Sequence, residues 1–360
     1  MLSLSVTFNK LSQAYPWIAS PLIVLAPMRG IAGPTLAVAV SQAGGLGFIA
    51  FTGKNSGLED LETASQLLRG AKEQDDNSLS GISIGGLLPV GLGFLLWADD
   101  LSDAVETVEK YRPCAVWLFA PRGGQEELDQ WTLGIRAASP KTQVWIQFGT
   151  IGEATAAAGS TSPPDVVVIQ GTEAGGHGRA HDGIGTITLL PEAADALRSS
   201  GIPIIAAGGI ADGRGVVAAL SLGASGVAMG TRFLAASEAR VSKGYQREIV
   251  RVADGAKSTT RTTLYNRLRG TVGWPEEFSP RMVKNRSWGD SQAGVPFDEL
   301  KRLYDEAGKT GDAGWGPEGR LATYAGAVVG LVHEVEDGKV IVKSVREEAK
   351  SITEALSTSF

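Results

Sequence analysis

The runs PIIAAGG (Pro203 to Gly209) and GVAMGT (Gly226 to Thr231), with the helical stretch Gly213 to Leu222 between them, decide how this chain is read. Each run is short and apolar and ends with glycine close behind. Neither alternates apolar with polar residues, which is the pattern of a strand covered on both faces in a parallel sheet. Six similar runs precede them: PLIVLAP (Pro21 to Pro27), GLGFIAF (Gly45 to Phe51), LPVGLGFLL (Leu88 to Leu96), CAVWLFA (Cys114 to Ala120), QVWIQFG (Gln143 to Gly149) and DVVVIQG (Asp165 to Gly171). Helical stretches lie between them at Pro34 to Ala43, Ser102 to Tyr111, Gln125 to Ala138, Glu153 to Ala158 and Pro191 to Ser199. Eight strand-helix units within about the first 235 residues predict an α/β chain folded as a (β/α)8 TIM barrel. An open doubly wound sheet is the alternative.

The pattern changes after Thr231. Residues 233–320 are more polar and hold Arg-rich stretches that read as helices, Tyr245 to Ala253 and Thr259 to Leu268. Gly308 to Gly319 reads as a loop. Leu321 to Val332 reads as a small-residue helix that returns to close the barrel, and Val342 to Leu356 as a solvent-facing helix. The expected organisation is a barrel of residues 1–232 plus 321–360, with residues 233–320 as a mostly helical insertion over its mouth.

Composition narrows the function. Lys+Arg 33 against Asp+Glu 39 leaves a net charge of −6, which argues against broad binding to a nucleic-acid backbone. One small anionic ligand is still compatible. The single cysteine, Cys114, excludes an intrachain disulfide framework and a cysteine-based zinc cluster, and fits a reducing, cytoplasmic setting. The stretch MLSLSVTFNKLSQAY lacks the basic and apolar regions of a signal peptide. Two uncharged stretches, Gly30 to Gly53 and Asn77 to Ala98, are too rich in glycine and polar residues for membrane spans and read as buried helix and strand pieces. Glycine itself is in excess, with 47 residues clustered at intervals, as many tight loops on a packed scaffold require.

In a barrel, chemistry lies at the carboxyl ends of the strands. The seventh run ends in Gly208-Gly209 and the eighth in Gly230-Thr231, at the two loops where barrels commonly hold phosphate. Backbone N–H groups bared by glycine, with the Thr231 hydroxyl, suit such an anion; plain tight turns are the other reading. The sixth run leads into Glu173-Ala174-Gly175-Gly176-His177-Gly178. His177 among glycines at the mouth suits proton transfer, the alternative being an exposed or structural histidine. His181 is no metal partner for it, because the intervening glycines break the helix that such spacing needs, and His333 reads as structural. Gly45 to Ala50 matches a dinucleotide-binding pattern but falls within a strand, and no nucleophile elbow is present.

At these residues the chain resembles the nitronate monooxygenase family, formerly called 2-nitropropane dioxygenase. The matching pieces are Leu25-Ala26-Pro27-Met28 with Gly30, Ser41 to Gly47, Gln147 to Thr150 with Glu153-Ala154, Gln170 to His177, Ala206 to Ile210 and Gly226 to Phe233, with a weaker match at Tyr324-Ala325-Gly326. The resemblance implies a barrel with non-covalent FMN that oxidises alkyl nitronates with O2 to a carbonyl compound and nitrite. Carried onto this chain, Pro27, Met28 and Gly30 would lie beside the flavin. Gln147 and Gln170 would reach its polar atoms, with Gly175 and Gly176 against it. Gly208, Gly209, Gly230 and Thr231 would hold the phosphate. His177 matches the catalytic histidine, acting as base toward a neutral nitroalkane or orienting a nitronate. Members of the family carry an Asn at the end of the third strand, where this chain has Val90-Gly91-Leu92-Gly93-Phe94. Phe94, Trp97, Trp117 and Phe119 either shape an apolar substrate pocket or fill the core.

Two other readings use the same scaffold: an FMN-dependent NAD(P)H reductase of the enoyl-acyl carrier protein or quinone type, and a barrel that binds a phosphorylated ligand without redox chemistry. The expected partners are a small nitronate or nitroalkane and O2, with no nucleic acid, membrane or metal. The chain would be a monomer or a homodimer.

Overall fold

Leu22–Leu25, Leu46–Ala50, Ile204–Ala207 and Gly226–Met229 are buried at every position, so each must be covered on both faces. The computed structural model, which describes residues 4–73 and 86–358, shows how. In chain order the strands are β1 (Leu22–Leu25), β2 (Leu46–Ala50), β3 (Leu88–Leu95), β4 (Pro113–Phe119), β5 (Gln143–Phe148), β6 (Val166–Gln170), β7 (Gly176–Arg179), β8 (Ile204–Ala207), β9 (Gly226–Met229), β10 (Thr259–Arg261) and β11 (Phe278–Val283). Eight of them close a parallel barrel in the order β1-β2-β3-β4-β5-β6-β8-β9. The remaining three form a separate antiparallel sheet, β10-β11-β7.

Two apolar layers hold the barrel. Inside it, Phe48 meets Trp117 and Trp145 at centroid separations of 5.2 and 5.1 Å. The Trp145 indole N–H donates to the Tyr15 hydroxyl (2.8 Å), and Tyr15 follows the helix Leu4–Ala14, which the sequence reading did not foresee. Outside, strand residues such as Ile23, Ile49 and Val167 pack on the helix ring. Gly47 marks how close that packing is. A Cβ there would collide with the backbone of Ala37 in the helix Pro34–Gln42, so its place in a dinucleotide-like pattern reflects helix packing.

Several expectations change. A helix Lys54–Glu73, not foreseen, joins β2 to β3. The expected helix at Pro191 starts earlier, as Thr186–Ala196. Of the uncharged stretch Asn77 to Ala98, residues 77–85 lie outside the described residues, and β3 follows. The expected helix Thr259 to Leu268 begins as β10 and turns helical only over Leu264–Arg269, because its threonines suit the edge of the small sheet. Leu321 to Val332 is not a helix but an irregular segment with one 3-10 turn, Ala327–Leu331. Gly326 explains this: a Cβ there would lie 2.6 Å from the carbonyl oxygen of Glu173, so the segment is laid against backbone. Closure comes instead from Leu22 to Leu25 pairing directly with Gly226 to Met229. The last helix, Gly338–Ser357, is not merely solvent-facing. It buries Ile341, Val342 and Val345 against the barrel's outer layer, and its buried Arg346 donates to the carbonyls of Ala43 and Gly44 (both 2.8 Å). Between β9 and this helix the chain is largely helical, but β10 and β11 lie within it.

Candidate active site

The carboxyl ends of the barrel strands open into a cavity of about 510 Å³. One wall is backbone. Gly208 (φ +97°) and Gly209 (φ +73°) follow β8 in the left-handed region, where a side chain would be strained. A Cβ on Gly208 would lie 2.9 Å from the Gly171 carbonyl oxygen, and one on Gly209 3.2 Å from the Glu173 Cβ. Gly175 is packed on the backbone of Ala325 and Gly326 with no room for a side chain. Gly230 and Thr231 complete this wall; the Thr231 hydroxyl accepts from the Gly326 N–H (2.9 Å), which leaves its own O–H to donate. Glu173 does not serve the cavity. Its carboxylate accepts from the Thr186 N–H (2.9 and 3.0 Å) and so fixes the loop.

The floor carries the two glutamines. Gln147 lines the cavity and accepts the Trp117 indole N–H (2.9 Å) with its carbonyl, so its amide N–H groups remain as donors. Gln170 donates to the carbonyl of His177 (3.3 Å). Pro27 and Met28 lie alongside. Gly93 explains why no asparagine stands at the end of β3: a side chain there would run into Pro27. Phe94, Trp97, Trp117 and Phe119 all line the cavity, and Phe94 and Trp117 are at the same time fully buried core, so the two readings of these aromatics merge.

Another part of the lining is made of side chains. His177 is not in a bare glycine loop. It sits in β7, opposite Pro280 of β11, and its ring lies flat on Trp274 at 3.5 Å between centroids and 5° between planes. Its Nε2 is 3.1 Å from Asn266 Nδ2. Burial, and then the charges of Arg261 and Arg269 against the opposing pull of the Asn266 contact, lower its pKa from 6.5 to about 3. Arg269 lines the cavity with its Nη1 2.5 Å from the Tyr324 hydroxyl, and makes no salt bridge among the described residues. Arg261 and Arg281, opposite each other in β10 and β11, hold the loop before His177. Arg261 donates to the carbonyls of Thr172 and Ala174 (both 3.2 Å) and Gly176 (3.3 Å), and Arg281 to that of Thr172 (3.0 Å). Burial, reinforced by Arg281, brings the Arg261 pKa down to about 10.

Of the residues singled out from sequence, Pro27, Met28, Gln147, Gln170, Gly175, Gly176, His177, Gly208, Gly209, Gly230 and Thr231 all line this cavity. Gly30 does not: it lies one turn away, using its φ of +76° to bend the chain after Met28. His181 and His333 are exposed. Sequence reasoning missed Asn266, Arg269 and Trp274, and gave Tyr324 no role; they lie outside the barrel strand ends that guided the reading, and folding alone brings them to His177. Among the described residues no group of three His, Cys, Asp or Glu could hold a metal, and no helix is long and apolar enough to cross a membrane.

A parallel barrel with a glycine-backed cradle and a histidine wall over one cavity defines an enzyme of the TIM-barrel class. The model of the nitronate monooxygenase family matches residues 134–271, a span that holds His177, Asn266 and Arg269. The chain is 61% identical over 343 residues to the nitronate monooxygenase npaC of Metarhizium robertsii, covering 95% of this chain and 94% of that one. It is 34% identical over 368 residues to a nitronate monooxygenase of Neurospora crassa, covering 97% and 94%. Among solved structures, a nitroalkane oxidase from Streptomyces ansochromogenes shares the fold, with a TM-score of 0.72 at 23% identity over 96% of this chain and 99% of that one. The chain belongs to the nitronate monooxygenase family, flavin-dependent oxidoreductases that oxidise nitronates.

Proposed function

We propose that this chain uses bound FMN and O2 to oxidise alkyl nitronates to a carbonyl compound and nitrite, in a cytoplasmic setting. The observation that carries the reading is the pairing, in one cavity, of the Gly208, Gly209, Gly230 and Thr231 cradle with the His177 and Arg269 wall. The donor set suits FMN. The bared N–H groups and the Thr231 hydroxyl would hold its phosphate, Gln147 and Gln170 its polar atoms, and Pro27, Met28 and Gly176 would lie beside its ring. When bound, the flavin supplies the electron-accepting chemistry, while the protein provides orientation and charge. A nitronate is an anion, and Arg269 gives it a cation in the lining of the same cavity. His177 stands beside that position to orient it. The aromatic walls, Trp97, Phe119 and Trp274, exclude water from the reacting carbon.

Anaerobic titration of the yellow protein tests this reading. Rapid bleaching by a nitronate and negligible bleaching by NADH or NADPH is the expected result. The reverse hands the site to the reductase reading, and failure to take up FMN sinks both.

A further inference from the structure

Asn266 is 7% exposed and stands behind His177 without lining the cavity. Its Nδ2 meets the imidazole Nε2, while its Oδ1 is buried with no hydrogen-bond partner. This orientation is the cheaper of the two the amide can take. Reversed, it would bury N–H donors without an acceptor, and orphaned donors are rarer in folded proteins than under-satisfied carbonyls. An N–H aimed at Nε2 engages that nitrogen's lone pair, so the single proton of a neutral ring sits on Nδ1. A histidine that works as a base is usually oriented by a carboxylate, which stabilises the charged ring. Here the partner is a neutral amide. The other titratable or charged groups around the ring are Arg261 of β10, Arg281 of β11, Arg269 of the helix Leu264–Arg269 and Tyr324, and no carboxylate pairs with it among the described residues. Trp274 fixes the ring plane, so the imidazole cannot easily swing away from the amide.

We propose that Asn266 is a positioning residue that fixes the neutral His177 ring in the tautomer with Nε2 occupied, so that this enzyme takes its substrate as a preformed nitronate and does not draw a proton from a neutral nitroalkane. The proposal rests on the nitronate reading above. Proton abstraction would break the substrate C–H bond and place the proton on an imidazole lone pair, leaving an imidazolium beside the guanidinium groups of Arg261 and Arg269. The one lone pair of this neutral tautomer is already held by Asn266. A nitronate arrives with the proton already lost, and the cations that oppose an imidazolium attract it.

The test reads the ring directly. The chain has three histidines, so 15N-histidine spectra of the protein as purified are simple, with His177→Asn assigning the signal. The expected His177 signal is the neutral tautomer with Nδ1 protonated and Nε2 bare, unchanged as pH falls from about 8 to 5. Titration near about 6.5, or a proton on Nε2, overturns the proposal. In Asn266→Asp a carboxylate replaces the amide. His177 should then titrate at a higher pH, and kcat/KM for a neutral nitroalkane relative to its nitronate should rise at least about tenfold, with a new pH dependence. An unchanged ratio in a variant whose His177 titration has moved also overturns it. Should Asn266→Asp fail to fold, Asn266→Ser is expected to show both neutral tautomers of His177, and one tautomer retained counts against the proposal. Because the spectra need no turnover, failure of the wild type to oxidise nitronates would sink the functional reading and leave the tautomer result to be judged alone.

Discussion

The two walls of the cavity are built by different means. The cradle wall is backbone: Gly175, Gly208, Gly209, Gly230 and the amides they expose, set at the ends of β8 and β9 and in the loop after β6. The other wall is side chain: His177 on Trp274, Asn266 behind it, and Arg269 against Tyr324. At Gly175 and Gly208 the backbone wall has no room for a Cβ, and it presents the same N–H groups whatever side chains surround it, which suits a constant ligand such as a cofactor phosphate. A side-chain wall is set by individual residues from scattered segments, which suits the choice of substrate and of its charge. The two should therefore fail separately.

The largest effect is expected on the backbone wall. Gly208→Val puts a branched side chain at φ +97° with its Cβ 2.9 Å from a carbonyl oxygen, and should weaken FMN uptake by about a hundredfold or more, roughly 3 kcal/mol. The flavin absorbance of the purified protein checks this, and full occupancy would remove Gly208 from the cradle. Arg261→Met strikes the joint between the walls, removing the guanidinium that the carbonyls of Ala174 and Gly176 accept from and leaving that of Thr172 to Arg281 alone. We expect a loss of about 2–3 kcal/mol in urea unfolding, with both flavin content and nitronate activity lowered. If activity falls while stability and flavin hold, the arginine is not the joint.

Arg269→Met touches the side-chain wall alone. It should leave flavin content intact and lower kcat/KM for nitronates about tenfold to a hundredfold, from the loss of one charge-assisted contact of about 1.5–3 kcal/mol. Loss of flavin in this variant would erase the distinction between the walls. Over a single pH unit, the smallest effect is on stability against pH. The folded-state pKa of His177 is depressed by burial to about 3, below its unfolded value near 6.5. Below about pH 6.5 the unfolded chain takes up a proton that the native state refuses, so stability falls with pH by up to about 1.4 kcal/mol per pH unit until about pH 3. Unfolding curves of wild type and His177→Asn check this, since the variant should lack that part of the slope.

The same division governs what could be read in advance. The eight barrel strands fall within one or two residues of the runs that announced them, because a strand buried on both faces must be apolar throughout and its end must turn. Gly208, Gly209, Gly230 and His177 were legible because barrel topology fixes where strand ends meet. The small sheet was not. His177 pairs with Pro280 across a hundred or so residues of chain, and the local threonine and arginine pattern of residues 259–268 is equally compatible with helix. Leu321 to Val332 looked helical by its small residues, yet those residues are small so that Gly326 can approach Glu173.

The sequence by itself determined the barrel, the glycine cradle and the histidine at its mouth, since each follows from local pattern plus a closed topology. The tertiary structure decided that Gly30 stays out of the cavity, that Arg261 and Arg281 carry the His177 loop, and that Asn266, Arg269, Trp274 and Tyr324 gather around one imidazole. Those contacts join segments with no sequence relation to one another, and their energies exist only once burial has removed water from around them.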